Sequence, residues 1–248
     1  MTTGKNDKVI TDRAPCGLSC ARCESFLAEK CSGCYLENSR RKDMCAVVVG
    51  EPFEESKKLI LCMREKKKDM CNDCEEFEVC EIYDALLLKC PFKRPIYDLK
   101  PGYGYLVKEK KPELGFKIFG DMVRHGSNGL CLSRQHPKNL PFKQGKGTLK
   151  TYWLTSFEGE GNLQPTNLGI LSDIIIRFME EGSDTVILID GVELLITQND
   201  FPNVLRMINH IIEVVMQKDT RFIITLDERT LEKKEMALLE RNMEIIER

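Results

Sequence analysis

The cysteines of this chain are concentrated in its first third. Eleven of the 12 lie between Cys16 and Cys90. Three pairs share the spacing C-x2-C: Cys20 with Cys23, Cys31 with Cys34, and Cys71 with Cys74. Two cysteines at this spacing can direct both sulfur atoms at one ion, and two such pairs complete a tetrahedral site. The spacing therefore predicts a small cysteine-rich metal-binding domain at residues 14–95, after a flexible N-terminus at residues 1–13.

All three histidines lie in the other half of the chain, so a protein-only metal site in this domain must consist mostly of thiolates. Such a soft ligand set suits either Zn²⁺, as one or two ions, or an iron–sulfur cluster. The pairing of the cysteines into sites stays open. The candidate ligands are Cys16, Cys20, Cys23, Cys31, Cys34, Cys45, Cys62, Cys71, Cys74 and Cys80.

Charge and hydropathy exclude several classes of protein. The 37 basic and 39 acidic side chains give a formal charge of −2, so a nucleic-acid partner is not expected. No apolar run reaches the 18 or more residues that a membrane-spanning helix requires, and the N-terminus has no apolar core of a signal peptide. We therefore expect a cytoplasmic protein, whose thiols stay reduced and bind metal rather than forming disulfides.

The composition changes after the prolines at positions 91, 95 and 101, which indicates a linker at residues 96–102 and a second domain at 103–248. Here β-rich runs alternate with helical patterns. Helices are predicted from Pro112, over Thr166 to Glu181, after Asp200, and from near Thr230 through Met243 and Ile246. The five predicted strands are Tyr103–Val107, Leu130–Ser133, Thr151–Thr155, Thr185–Ile189 and Phe222–Leu226. This alternation predicts an α/β fold, a parallel sheet of about five strands with helices on both faces.

The apolar run from Thr185 ends in Asp190, the position at which nucleotide-binding sheets place a Mg²⁺-binding aspartate. Such proteins also need a glycine-rich phosphate loop, and no G-x-x-x-x-G-K-[ST] sequence exists in the chain. ATP hydrolysis is therefore not expected. If the sheet binds a ligand, the crevice at the carboxyl ends of its strands is the expected place. The candidate residues there are Lys108, Glu109, Arg134 and Asp190.

Two stretches of the chain resemble families without an assigned function. The cysteine-rich segment resembles domain of unknown function 3795 through Cys16-Gly-Leu-Ser-Cys-Ala-Arg-Cys23, Cys31-Ser-Gly-Cys34 and Cys71-Asn-Asp-Cys-Glu-Glu-Phe-Glu-Val-Cys80. This resemblance implies metal binding. The chain departs from that family at Glu78-Val79, where a proline is usual.

The second domain resembles domain of unknown function 835, a family found largely in archaea. The resemblance lies in Gly104-Tyr-Leu-Val-Lys-Glu109, Gly129-Leu-Cys-Leu-Ser-Arg134, Trp153-Leu-Thr155, Ile187 to Leu195 and Leu231 to Glu240. It implies a core similar to those of RecA and KaiC that has lost its phosphate loop, and a role in signalling.

No catalytic triad, paired-carboxylate motif or cofactor fingerprint emerges, so the sequence assigns no reaction and favours a protein that is not an enzyme. The first hypothesis is a non-catalytic, zinc-binding regulatory or adaptor protein whose α/β domain binds a protein partner or a small ligand. Two alternatives stay open: an iron–sulfur redox sensor or electron carrier, and a nucleotide-binding switch without hydrolysis.

Overall fold

The computed structural model describes residues 54–68, 71, 74–76, 80–89, 95, 97, 99–143, 145 and 147–247. The chain divides into two compact units, residues 1–96 and 97–248. In the first unit, helix α1 (Glu54–Lys66) packs against helix α2 (Glu81–Lys89). Leu59 of α1 and Tyr83 of α2 are fully buried.

The second unit is an α/β domain with seven parallel strands. The strands are β1 (Tyr103–Lys108), β2 (Asn128–Ser133), β3 (Leu149–Leu154), β4 (Asn162–Leu163), β5 (Thr185–Asp190), β6 (Thr220–Leu226) and β7 (Glu244–Ile246). Their order across the sheet is β4-β3-β2-β5-β6-β1-β7. Every residue of β5 is buried, as expected for a central strand of a parallel sheet that is covered on both faces.

Five helices connect the strands: α3 (Glu113–His125), α4 (Leu168–Glu181), α5 (Val192–Asn199), α6 (Phe201–Val215) and α7 (Lys233–Glu240). Polar side chains mark where two of them begin. The side chain of Asn167 accepts a hydrogen bond from the Ile170 amide at the start of α4, and Asp200 accepts one from the Asn203 amide at the start of α6. These caps satisfy amides that have no partner inside the helix.

Alternation along the strands builds a separate core on each face of the sheet. Leu106, Leu130 and Ile187 face the larger core, with α4, α5, α6 and α7. Their sequence neighbours Val107, Cys131 and Leu188 face the smaller core, with α3. The predicted α/β class and the helices on both faces are therefore confirmed.

The predicted number of strands is wrong, and so is the predicted end of the last helix, whose first part is present at Lys233–Glu240. The sheet has two further strands, β4 and β7, which are only two and three residues long. The last helix ends at Glu240, and Ile246 pairs with Val107 of β1 instead of continuing the helix. Pairing with an exposed strand edge therefore outweighs the helical spacing of the apolar residues in this segment.

Candidate ligand-binding cleft

A cleft of about 390 Å³ opens at the carboxyl edge of the sheet. It lies where β2 connects to β3 on one side and the neighbouring β5 connects to β6 on the other. Such a switch point is where open α/β sheets bind ligands. The cleft is lined by Glu109, Lys110, Pro112, Arg134, Gln135, Asp190, Glu193, Thr225, Leu226, Asp227 and Thr230.

Asp190 is the buried carboxylate of the cleft, with 8% of its surface exposed. Ser133 on β2 and Thr225 on β6 are its register partners on the two neighbouring strands. The Ser133 hydroxyl donates a hydrogen bond to Asp190 Oδ2 at 2.6 Å, and the Thr225 hydroxyl lies 3.5 Å from Oδ1. Burial raises the pKa of Asp190, while the hydrogen bond from Ser133 opposes that rise. The carboxyl group can therefore hold a proton closer to neutral pH than an exposed aspartate can.

Glu109 closes the N-terminus of α3. Its carboxylate accepts hydrogen bonds from the Leu114 amide at 2.7 Å and the Gly115 amide at 2.9 Å. Burial raises the pKa of Glu109, and the hydrogen bonds from the backbone amides oppose that rise. Amides at a helix N-terminus commonly bind phosphate. In this chain a carboxylate of the protein occupies that position.

Gly115 allows α3 to lie directly on the sheet. A Cβ atom at this position would lie 2.1 Å from the Thr225 methyl group, which is too close for any side chain. The N-terminus of α3 and the Glu109 carboxylate are therefore fixed beside Thr225, which itself faces Asp190.

Arg134 lies on the wall of the cleft, immediately after β2. Its side chain crosses Gly191, where a Cβ atom would approach the Arg134 Cγ to 2.4 Å. Gly191 has a φ of 113°, a backbone conformation that glycine adopts without strain. Within the part of the chain that the structure describes, the guanidinium makes no hydrogen bond or ion pair, and the side chain is exposed. Arg134 is therefore a cation that a ligand can reach.

Residues 108–243, more than half of the chain and the whole lining of this cleft, match the family described as Protein of unknown function (DUF835). The chain belongs to the DUF835 family. The resemblance predicted for the second domain is thereby confirmed. No curated protein matches the chain.

Three of the four residues that the sequence singled out line the cleft of the DUF835 domain, and Lys108 lies elsewhere. Lys108 is the last residue of β1 and forms ion pairs with Glu240 at 2.7 Å, Glu247 at 3.3 Å and Glu228 at 3.5 Å. Glu240 first, and then Glu247, raise the pKa of Lys108, against the opposing effect of burial. Because side chains alternate along a strand, Lys108 points away from the face to which Val107 contributes.

Sequence reasoning missed Glu193, which stabilises the floor of the cleft. It stands in the first turn of α5, and its carboxylate accepts a hydrogen bond from the Asp227 amide at 2.9 Å. Asp227 in turn pairs with Arg229, which lowers the pKa of Asp227 to about 2. The only signal for Glu193 in the sequence was an acidic residue two positions after Gly191.

The cleft has hydroxyl groups beside a carboxylate but no histidine or cysteine among its described lining residues. The hydroxyls of Ser133 and Thr225 lie next to Asp190, and both residues are buried. Cys131 is fully buried in β2, and burial raises the pKa of its thiol. Catalysis by a nucleophile needs a hydroxyl or thiol that a substrate can reach and that lies within hydrogen-bond distance of a base. The Ser133 hydroxyl lies within that distance of Asp190 but is fully buried.

Four of the ten predicted metal ligands lie among the described residues. Cys62, Cys71, Cys74 and Cys80 line one cavity of about 20 Å³ beside α1. As they stand, no three histidine, cysteine or acidic side chains of the described segments are arranged to hold a metal ion. The thiols supply the right ligand type for zinc, but they would have to turn toward one point to bind it. The other six, Cys16, Cys20, Cys23, Cys31, Cys34 and Cys45, lie outside the described residues.

None of the helices in the described part of the chain is long and apolar enough to cross a membrane.

Proposed function

We propose that this chain is a non-catalytic regulatory or adaptor protein of the cytoplasm, whose DUF835 domain binds a small ligand or a protein partner in the cleft. The observation that carries this proposal is the cleft itself. Glu109, Arg134 and Asp190 converge at the switch point of the sheet, the described lining residues include no histidine or cysteine, and the Ser133 hydroxyl beside Asp190 is buried. A site of this kind can recognise a ligand and transmit its binding without converting it, as a signalling protein requires.

The RecA-like interpretation of the domain belongs to the same proposal. It is supported by β5, a buried strand that ends in Asp190 at the position of a Mg²⁺-binding aspartate. It is also supported by the connection from β1 to α3, where a phosphate loop would stand. In its place the chain has Glu109, whose carboxylate is bound to the helix amides. A nucleotide phosphate cannot use those amides while Glu109 occupies them.

A phosphate-release assay tests the absence of turnover. The wild-type protein and Asp190→Asn should both release phosphate from Mg²⁺-ATP at the rate of buffer alone. Turnover in the wild type that disappears in Asp190→Asn would overturn the non-catalytic proposal.

For the N-terminal unit we propose one or two zinc ions bound by the cysteines. Support comes from the cavity that Cys62, Cys71, Cys74 and Cys80 share, since thiolates are preferred zinc ligands. Zinc would order a segment whose many polar residues leave little core of its own.

Elemental analysis and an absorption spectrum of the full chain, purified without oxygen, test this assignment. We expect one or two zinc per chain and no visible absorbance. Iron with matching sulfide would overturn it and support the iron–sulfur alternative. Cys74→Ala should lose zinc, whereas the matched control Cys131→Ala removes a thiol from the core of β2 and should keep the full amount.

A further inference from the structure

Three aromatic rings stand together at the same edge of the sheet as the cleft. The His136 and Trp153 rings meet edge to face with their centroids 4.9 Å apart. The Trp153 and Phe157 rings are nearly parallel, at 28°, with centroids 6.1 Å apart. Phe157 is 68% exposed, a large value for an apolar side chain. We call His136, Trp153 and Phe157 the ring cluster.

Strand register puts the ring cluster on the same face as the cleft. Ser133 pairs with Trp153 on one side and with Asp190 on the other. Residues paired in this way project from the same face, so Trp153 and Asp190 lie about 10 Å apart, two strand spacings. The Trp153 indole N–H also donates a hydrogen bond to the Arg134 carbonyl oxygen at 3.0 Å. This hydrogen bond connects the ring cluster to Arg134, the residue on the wall of the cleft.

The charges of the cleft decide which ligand charge it can accept. Its carboxylates are engaged within the protein: Glu109 with the α3 amides, Asp190 with Ser133, and Asp227 with Arg229. Glu193 likewise accepts the Asp227 amide. Arg134 follows β2 and its carbonyl oxygen contacts the ring cluster; its guanidinium makes no hydrogen bond or ion pair in the described ranges, and its charge opposes the rise in the pKa of Asp190. The group left for a ligand at this point is therefore a cation.

We propose that the Arg134 side of the cleft and the ring cluster form one binding site for a planar aromatic anion. The ring of the ligand stacks on the exposed face of Phe157, which itself packs against Trp153, and its carboxylate or phosphate pairs with the Arg134 guanidinium. A guanidinium matches both anions because it can donate two parallel hydrogen bonds. An exposed aromatic surface stacks any flat ring. This inference rests on the proposed ligand-binding role of the cleft and names the chemical class of the ligand.

Trp153 is the only tryptophan of the chain, so its fluorescence reports binding without a label. The probes are nicotinate, a ring with a carboxylate, and AMP, a ring with a phosphate. Adenosine supplies a ring without the charge, and inorganic phosphate supplies the charge without a ring. We expect a saturable change in Trp153 emission with nicotinate or AMP. Adenosine and phosphate should bind at least about tenfold more weakly. Whichever probe saturates first identifies the anion.

Two variants separate the contributions of charge and stacking. Arg134→Ala and Phe157→Ala alter exposed side chains, and each should weaken binding of the responding probe about tenfold. Arg177→Ala on α4 and Tyr103→Ala at the amino end of β1 remove exposed residues of the same types elsewhere and should leave affinity unchanged. No emission change with either probe at about 10 mM would overturn the inference.

Binding that is unchanged in both Arg134→Ala and Phe157→Ala would also overturn it. That result would leave the proposed function standing, because a ligand would still bind without turnover. Asp190-dependent ATP turnover is the separate result that overturns the proposed function.

Discussion

Replacing Glu109 with alanine removes the group that satisfies the N-terminus of α3. The structure shows two hydrogen bonds from helix amides to this carboxylate, at 2.7 and 2.9 Å. Loss of a helix-capping side chain costs about 0.5–2 kcal/mol. Because the pKa of Glu109 is raised, the cost of burying its charge outweighs the gain that these bonds give the ionised carboxylate. We therefore expect Glu109→Ala to lower the free energy of unfolding by about 0.5–1 kcal/mol, the lower part of the range for a lost cap.

The same variant should acquire an anion site that the wild type lacks. Once the carboxylate is gone, the Leu114 and Gly115 amides are open to sulfate or phosphate. An anion at ten times its Kd stabilises a protein by about 1.4 kcal/mol, enough to offset the loss. Sulfate also stabilises proteins without binding them, so the quantity to compare is the difference between variant and wild type.

Urea denaturation with sodium sulfate, against sodium chloride of equal ionic strength, measures both effects. Glu113→Ala is the matched control, since it removes an exposed carboxylate from the same helical turn. We expect its loss of stability to be smaller and its sulfate response to equal that of the wild type. An equal sulfate response in Glu109→Ala and the wild type would refute the view that Glu109 stands where an anion would bind.

Three further predictions concern the charged groups around the cleft. Since the pKa of Asp190 is raised above 3.8, its ionisation destabilises the fold. The stability of Asp190→Asn relative to the wild type should therefore increase as pH rises from about 4 to 7. Urea melts that give a constant difference across this range would contradict this prediction. The pKa of Asp227 is lowered to about 2, so its ionised form stabilises the fold. Asp227→Asn should therefore be less stable than the wild type above pH 3.8, and this difference should disappear in thermal melts as pH falls toward 2. Lys108→Met should lower the free energy of unfolding by about 1 kcal/mol at low salt and by less at 1 M NaCl, because salt screens the three ion pairs of Lys108. A loss of stability in urea melts that does not depend on salt would argue against this.

The central strands were predictable from the sequence because their residues are apolar on both faces. The run from Thr185 to Asp190 has no polar alternation, and this is what burial between two layers of helices requires. The short edge strands were not predictable. Asn162–Leu163 and Glu244–Ile246 become strands by pairing with β3 and β1, not through a pattern of their own. The same pairing explains why the helical spacing through Met243 and Ile246 predicted a helix where the chain forms β7.

The place of the cleft followed from the sequence, whereas its internal contacts did not. Residues that follow parallel strands must meet at one edge of the sheet, so the sequence already predicted that Arg134 and Asp190 lie in the same cleft. Glu109 caps α3 because of the way in which the chain turns at Pro112. Lys108 faces away from the cleft because side chains alternate up to the last residue of β1. The stacking of Phe157 on Trp153 depends on the path of the loop after β3, which no local pattern specified.

The position of β1 in the sheet has a consequence for the order in which the domain can be completed. Both of its neighbours, β6 and β7, come from the far end of the chain, residues 220–226 and 244–246. A ribosome therefore releases the buried run Tyr105 to Val107 long before its pairing partners exist. Non-local pairing of this kind slows folding and exposes apolar segments meanwhile. We expect nascent chains halted before residue 220 to be held by chaperones or digested by proteases, and protection to appear only once β6 has emerged.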